Sequence, residues 1–168
     1  MSDKPELRKQ LKQARLAMPV DERAAKSKLI RDRLLEAVDW TKIECLHCFE
    51  PIESLGEVDV EDFIQGIPVF TSRREDKGND WSIEPWSGDR EVPEQFDAII
   101  VPMLGFDDEL QRIGFGGGYY DRFLATQPRA LKIGVCLEQG KIDRVPAEDH
   151  DVPLDLIVTE QKTYRRRS

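Results

Sequence analysis

The sequence predicts an α/β fold, a mostly parallel sheet with helices on both faces. Short apolar runs alternate with stretches of helical periodicity along the whole chain, the pattern of strands joined by helical crossovers. One run, Phe96 to Val101, is uninterrupted in its apolar character after Asp97, as a central strand buried on both faces requires. No internal repeat or low-complexity linker divides the 168 residues. That length suits one domain, residues 1–168, built on one hydrophobic core.

The elements follow in order. Pro5 to Met18 reads as a helix with Leu7, Leu11, Ala14 and Met18 on one face. Pro5 suits its first turn and Pro19 stops it. Asp21 is expected to cap a second helix reaching Val38, with Ala24, Ala25, Leu29, Ile30, Leu34 and Val38 turned inward. Ile43 to Phe49 is the first strand. After a loop at Pro51 to Gly56 come a short helix, Val58 to Gln65, and a strand, Ile67 to Thr71. Arg73 to Asp80, with Gly78 and Asn79, reads as a loop or hairpin turn before a strand at Trp81 to Trp86. Phe96 to Val101 ends at Pro102, and Met103 to Ile113 reads as a long connection. Tyr119 to Thr126 is a helix, Leu131 to Leu137 a strand and Leu154 to Thr159 the last strand. Ligands of such sheets bind at the carboxyl ends of strands. Chemistry is therefore expected in the loops after Phe49, Val101, Leu137 and Thr159.

Composition narrows the function. Apolar residues make up 39% and charged residues 35%, with a formal net charge of −8. Phosphate backbones need clustered Lys and Arg, so a general nucleic-acid binder is excluded. Arg165 to Arg167 read as a solvated tail. The polar, lysine-rich Met1 to Lys12 is not a secretory signal, and no run of ~18 apolar residues exists to span a membrane. The expected location is the cytoplasm. Cys45 and Cys48 form a CxxC around His47, but residues three apart on a strand face opposite sides, which keeps the thiols from meeting. With no coiled-coil pattern, a monomer is expected.

The most informative segment is Arg112-Ile113-Gly114-Phe115-Gly116-Gly117-Gly118-Tyr119-Tyr120-Asp121-Arg122. Four glycines in five positions cost conformational entropy. Backbone N–H groups converging on an anion are the commonest compensation, aided by the helix that follows. Tight packing of a loop between helix and strand is the structural alternative. No Lys-Ser or Lys-Thr follows, so this is not a Walker A loop, and Tyr119 breaks the GxGxxG fingerprint. Asp121 stands where Mg²⁺ would bridge protein and phosphate, and Asp155 offers a second oxygen ligand. Trp81 and Trp86 read as packing residues, Phe106 and Met103 as a pocket wall or core closure, and His150 as a surface residue.

RIGFGGGYYDRFL, Arg112 to Leu124, closely resembles the signature RLGxGxGYYD of 5-formyltetrahydrofolate cyclo-ligases. Lys4 to Arg8 (KPELR) resembles that family's K-x-x-LR, and Gly56 to Asp59 its E-[VI]-[DE] segment. Ile83-Glu84-Pro85, Ile100 to Phe106 and Asp151 to Thr159 resemble further family stretches in the same order. The resemblance implies a fold related to the ribose-5-phosphate isomerase and CoA-transferase group. It implies that ATP is contacted by Lys4, Pro5, Glu6, Leu7 and Arg8 together with Arg112, Ile113, Gly114, Phe115, Gly116, Gly117, Gly118, Tyr119 and Tyr120. Arg112, Tyr120 and Asp121 would be catalytic, and Asp121 and Asp155 would hold Mg²⁺. Glu57, with the loop from Phe115 to Tyr119, would face the folate. The implied reaction is ATP- and Mg²⁺-dependent cyclisation of 5-formyltetrahydrofolate to 5,10-methenyltetrahydrofolate, releasing ADP and phosphate.

Two departures stand out. The stretch before Trp81 is shorter than in most members, with Thr71-Ser72-Arg73 where a proline-containing element usually lies. Gly117 stands where some members carry a basic residue, which leaves more phosphate charge to Lys4, Arg8 and Arg112. Two other readings remain at this point: a paralogue using the same ATP loop on a different small molecule, and a non-catalytic folate- or nucleotide-binding protein.

Overall fold

A computed structural model describes residues 3–51, 56–60, 66–74, 81–116 and 118–166. Two helices open the chain, α1 (Lys4–Ala17) and α2 (Val20–Ala37). Asp3 caps α1, its side chain accepting from the Glu6 amide at 3.0 Å. The N-cap of α2 is Pro19 rather than Asp21, and Asp21 instead stands in the first turn, where its charge suits the helix dipole.

The inward faces of both helices differ from the expected ones. Ala14 and Leu29 are exposed, Leu29 by 51%, while Arg15, Arg23, Ser27, Ile30 and Leu34 are buried. Long basic side chains bury their stems readily, so an apolar count misplaces a helix face that carries them.

Seven strands form one sheet among the described residues, in the order β3-β2-β1-β4-β7-β8-β9. They are β1 (Leu46–Cys48), β2 (Val69–Arg74), β3 (Trp81–Pro85), β4 (Ala98–Pro102), β7 (Leu131–Val135), β8 (Leu156–Val158) and β9 (Thr163–Arg165). The five from β2 to β8 in this order pair in parallel, and β3 and β9 close the edges antiparallel. Leu154 to Thr159 is therefore not the last strand. β9 follows it, and Arg165 is no free tail, because its guanidinium donates to Ala37 O at 2.7 Å.

The region expected to be a long connection holds a hairpin, β5 (Gly105–Phe106) against β6 (Arg112–Ile113), with Gly105 opposite Ile113 and Phe106 opposite Arg112. A tight turn allows it: Asp107 Oδ1 accepts from the amides of Glu109 and Gln111, and Leu110 adopts φ 59°. Val58 to Val60 is not helical, and the rest of that expected helix, 61–65, lies outside the described residues, as does the expected turn at Gly78 and Asn79.

Alternating side chains divide the core. Leu46, Cys48, Ala98, Ile100, Ile133, Val135, Leu156 and Val158 face α2, where Ile30 and Leu34 meet them. Ile99, Val101 and Ile157 face the other way and pack with Phe123 and Leu124 of α3 (Tyr119–Ala125). Cys45 and Cys48 are not joined by a disulfide, with Cys48 in the first of these clusters and Cys45 packed against the second.

Candidate active site

The chain runs from β1 outward to β2 and β3, then returns to place β4 on the other side of β1. Such a reversal opens a crevice between the carboxyl ends of the two central strands. Arg15 occupies it, 5% exposed, with Nη1 donating to Met103 O at 3.1 Å and its guanidinium 5.4 Å from the Phe115 ring centre. Glu57, also buried, is close enough to oppose the fall in the Arg15 pKa that burial produces. Sequence reasoning missed Arg15. The signal was its position seven residues after Arg8, on the helix face that carries Lys4 and Arg8.

The glycine loop leaves β6 and enters α3. Arg8 Nε donates to Gly114 O at 3.1 Å, and a Cβ at Gly116 would lie 3.6 Å from the Arg8 guanidinium. Gly118 holds φ 69° as the N-cap of α3, a left-handed geometry that a side chain would strain. Gly117 lies outside the described residues.

Arg112 is 9% exposed, and its Nη2 donates to Asp121 Oδ1 at 3.1 Å. Burial lowers its pKa while Asp121 opposes the shift. Its Nε is buried without a partner among the described residues. The Tyr120 ring lies 5.9 Å from the Arg112 guanidinium carbon, and burial raises the phenol pKa well above its usual value. Asp121 Oδ1 also accepts from the Val152 amide at 3.2 Å. Lys4 Nζ meets Asp151 Oδ2 at 2.5 Å, which ties α1 to the same 151–152 segment.

α1, the glycine loop, the start of α3 and the 151–152 segment thus bring together Lys4, Arg8, Arg112, Gly114, Phe115, Gly116, Tyr120 and Asp121. Asp155 answers to different partners. It precedes β8, accepts from the Lys132 amide at 2.8 Å, and lines a cleft with Asp97, Arg129 and Arg166 at the amino ends of the strands.

An open, mostly parallel sheet whose carboxyl end carries buried cations around a glycine loop defines an α/β enzyme that takes an anionic small molecule. The family model of the 5-formyltetrahydrofolate cyclo-ligase family matches residues 71–160. A 5-formyltetrahydrofolate cyclo-ligase of Mycoplasma pneumoniae is 32% identical over 171 residues, spanning 95% of this chain and 99% of the relative. Among solved structures, a 5,10-methenyltetrahydrofolate synthetase from Mycoplasma pneumoniae superposes with a TM-score of 0.82 at 30% identity, covering 95% of this chain and 99% of that one. The synthetase of Aquifex aeolicus gives 0.81 at 31% identity, covering 98% and 93%. The chain belongs to the 5-formyltetrahydrofolate cyclo-ligase family and is a ligase of folate one-carbon metabolism. No helix among the described residues is long and apolar enough to cross a membrane.

Proposed function

We propose that this enzyme uses ATP and Mg²⁺ to close 5-formyltetrahydrofolate to 5,10-methenyltetrahydrofolate, with ADP and phosphate as the other products. The observation that carries this reading is the buried Arg112 guanidinium, whose Nε has no partner among the described residues beside the glycine loop, in a chain of net charge −8. A buried donor left unpaired costs about 1–3 kcal/mol, so an anion that accepts from it is the natural complement. Arg8 on the same loop and Lys4 at its margin supply further positive charge.

The formyl oxygen is a poor leaving group. Its attack on the γ-phosphoryl group expels ADP and converts that oxygen into a phosphate ester of an iminium carbon. N10 of the folate then bonds to that carbon and gives up its proton, and the carbon–oxygen bond breaks with release of phosphate. Such a sequence asks for alignment and charge neutralisation rather than a protein nucleophile. Arg112 and Arg8 hold the phosphates, loop amides bind their oxygens, and the protonated Tyr120 phenol packs beneath Arg112. Glu57 and the loop from Phe115 to Tyr119 bound the folate side.

Asp121 fits the metal role as one carboxylate beside substrate phosphates, a usual way of holding Mg²⁺. Its Oδ1 is held by Arg112 and Val152, and its Oδ2 bears no hydrogen bond among the described residues. When bound there, Mg²⁺ neutralises phosphate charge. We assign the metal to Asp121 rather than Asp155, which lies with Asp97, Arg129 and Arg166 at the amino ends of the strands, away from the glycine loop.

The test is spectrophotometric. Wild-type protein with 5-formyltetrahydrofolate, ATP and Mg²⁺ is expected to generate the methenyl chromophore, and mixtures lacking any one of the three are not. Nucleotide binding without that signal would overturn the assignment and favour a different acceptor.

A further inference from the structure

A polar chain crosses the core face beneath α3 and ends at Tyr119, and its first two members, His47 and Ser72, have no part in the mechanism above. His47 lies at the middle of β1 with 0% exposure, its ring centre 4.6 Å from that of Phe123 and 5.5 Å from that of Phe96. His47 Nε2 is 2.8 Å from Ser72 Oγ on β2, and Ser72 Oγ is 2.5 Å from the Tyr119 hydroxyl. Tyr119 opens α3, stacked between Trp81 at 4.8 Å and Phe123 at 5.8 Å. His47 Nδ1 is buried and has no partner among the described residues.

The direction of this chain follows from which atom is left unpaired. Burial lowers the His47 pKa to about 3, so the ring is neutral, with one N–H and one lone pair. A proton on Nδ1 would orphan a buried donor, which is rarer and costlier than an under-used acceptor. The proton therefore belongs on Nε2, and His47 donates to Ser72. Ser72 Oγ meets no other acceptor among the described residues, which leaves its single proton available to the Tyr119 oxygen. The phenolic proton of Tyr119 is then left unspent inside the protein.

We propose that His47 is a positioning residue: through Ser72 it fixes Tyr119 and leaves its phenol as a hydrogen-bond donor to a carbonyl or phosphate oxygen of substrate bound at the glycine loop. This rests on the functional reading above. Trp81 and Phe123 hold the ring plane, and the hydrogen-bond chain sets the rotation of the hydroxyl.

Two measurements decide it. Heteronuclear NMR of the histidine side chains in the whole protein is expected to show His47 as the Nε2–H tautomer, and an Nδ1–H tautomer overturns the proposal. Steady-state kinetics then compare Ser72→Val with Ser72→Thr, which differ by the hydroxyl at nearly equal volume. Losing one hydrogen bond is expected to raise KM for at least one co-substrate roughly three- to tenfold in Ser72→Val, with kcat within about twofold, and Ser72→Thr to recover most of the loss. Equal KM values in the two variants and the wild type overturn the proposal. A wild type that forms no methenyl product would instead sink the functional reading, and the tautomer would still decide whether His47 donates to Ser72.

Discussion

Replacing Gly140 by alanine tests how the fold places Arg112. Gly140 belongs to the 3-10 turn Glu138–Gly140 after β7, and its backbone lies against Gly105 of β5. A Cβ at Gly140 would stand 2.6 Å from Leu104 O, 2.7 Å from Cys136 Sγ and 3.3 Å from Gly105 Cα. From the other side, a Cβ at Gly105 would stand 2.6 Å from Gly140 O and 2.7 Å from Leu11 Cδ1. The first obstacle in each case is a carbonyl oxygen, which no rotamer change can move. Overpacking costs about 1–3 kcal/mol, and a backbone obstacle puts both variants near the top of that range. At about 2–4 °C per kcal/mol for a chain of this size, Tm falls by roughly 4–12 °C. Activity falls as well, because Phe106 pairs with Arg112 and displacing the hairpin displaces the guanidinium. A shift of this kind costs about tenfold or more in kcat/KM. Thermal unfolding by circular dichroism and the methenyl assay read the two effects. Gly134→Ala is the contrast: its obstacles, Met103 Cε, Leu154 Cδ1 and Ile157 Cγ1, are side-chain atoms that can give way without moving backbone. It is expected to lower Tm with little change in kcat/KM. Melting of Gly140→Ala and Gly105→Ala within about 1 °C of wild type would refute the backbone clash.

Three further outcomes are expected. Asp121→Asn lowers turnover by about a hundredfold or more, the scale of losing one charge-stabilising group, while its circular dichroism spectrum stays that of wild type; full activity would remove Asp121 from the metal role. Chelating Mg²⁺ with EDTA abolishes methenyl formation and excess Mg²⁺ restores it, whereas turnover in EDTA would exclude the metal. Lys4→Met exposes a pH-dependent contribution. Burial pushes the Asp151 pKa up, but the Lys4 bond and the Glu148 amide outweigh it, so the folded value lies below 3.8. A depressed carboxylate stabilises the fold fully above its unfolded pKa and loses that contribution as pH falls through the folded one. The stability gap between wild type and Lys4→Met is therefore constant at neutral pH and closes below pH 3.8. Denaturant titrations at pH 7 and at about pH 3 measure it, and an unchanged gap would contradict the pairing.

The sequence by itself determined the central strands, the glycine loop and the family. Runs such as Ile99 to Val101 and Ile133 to Val135 are local, and burial on both faces leaves a continuous apolar signature. The loop was legible because glycine is nearly irreplaceable where φ is positive, as at Gly116 and Gly118. Tertiary structure alone decided which cations gather there. Arg15 and Arg23 look like solvent-facing residues in the chain and are buried in the fold, because Met103, just after β4, meets Arg15 and Gly56, in the loop after β1, lies against both. The β5–β6 hairpin was hidden because its strands are two residues each, too short for a period to register. Asp121 and Asp155 look equivalent as acidic residues near motifs, yet one meets Arg112 and the other the Lys132 amide. Similarly, the His47–Ser72–Tyr119 chain joins residues 25 and 47 positions apart. Periodicity and propensity report only what neighbours in sequence do, and these contacts form between segments that meet only once the sheet has closed.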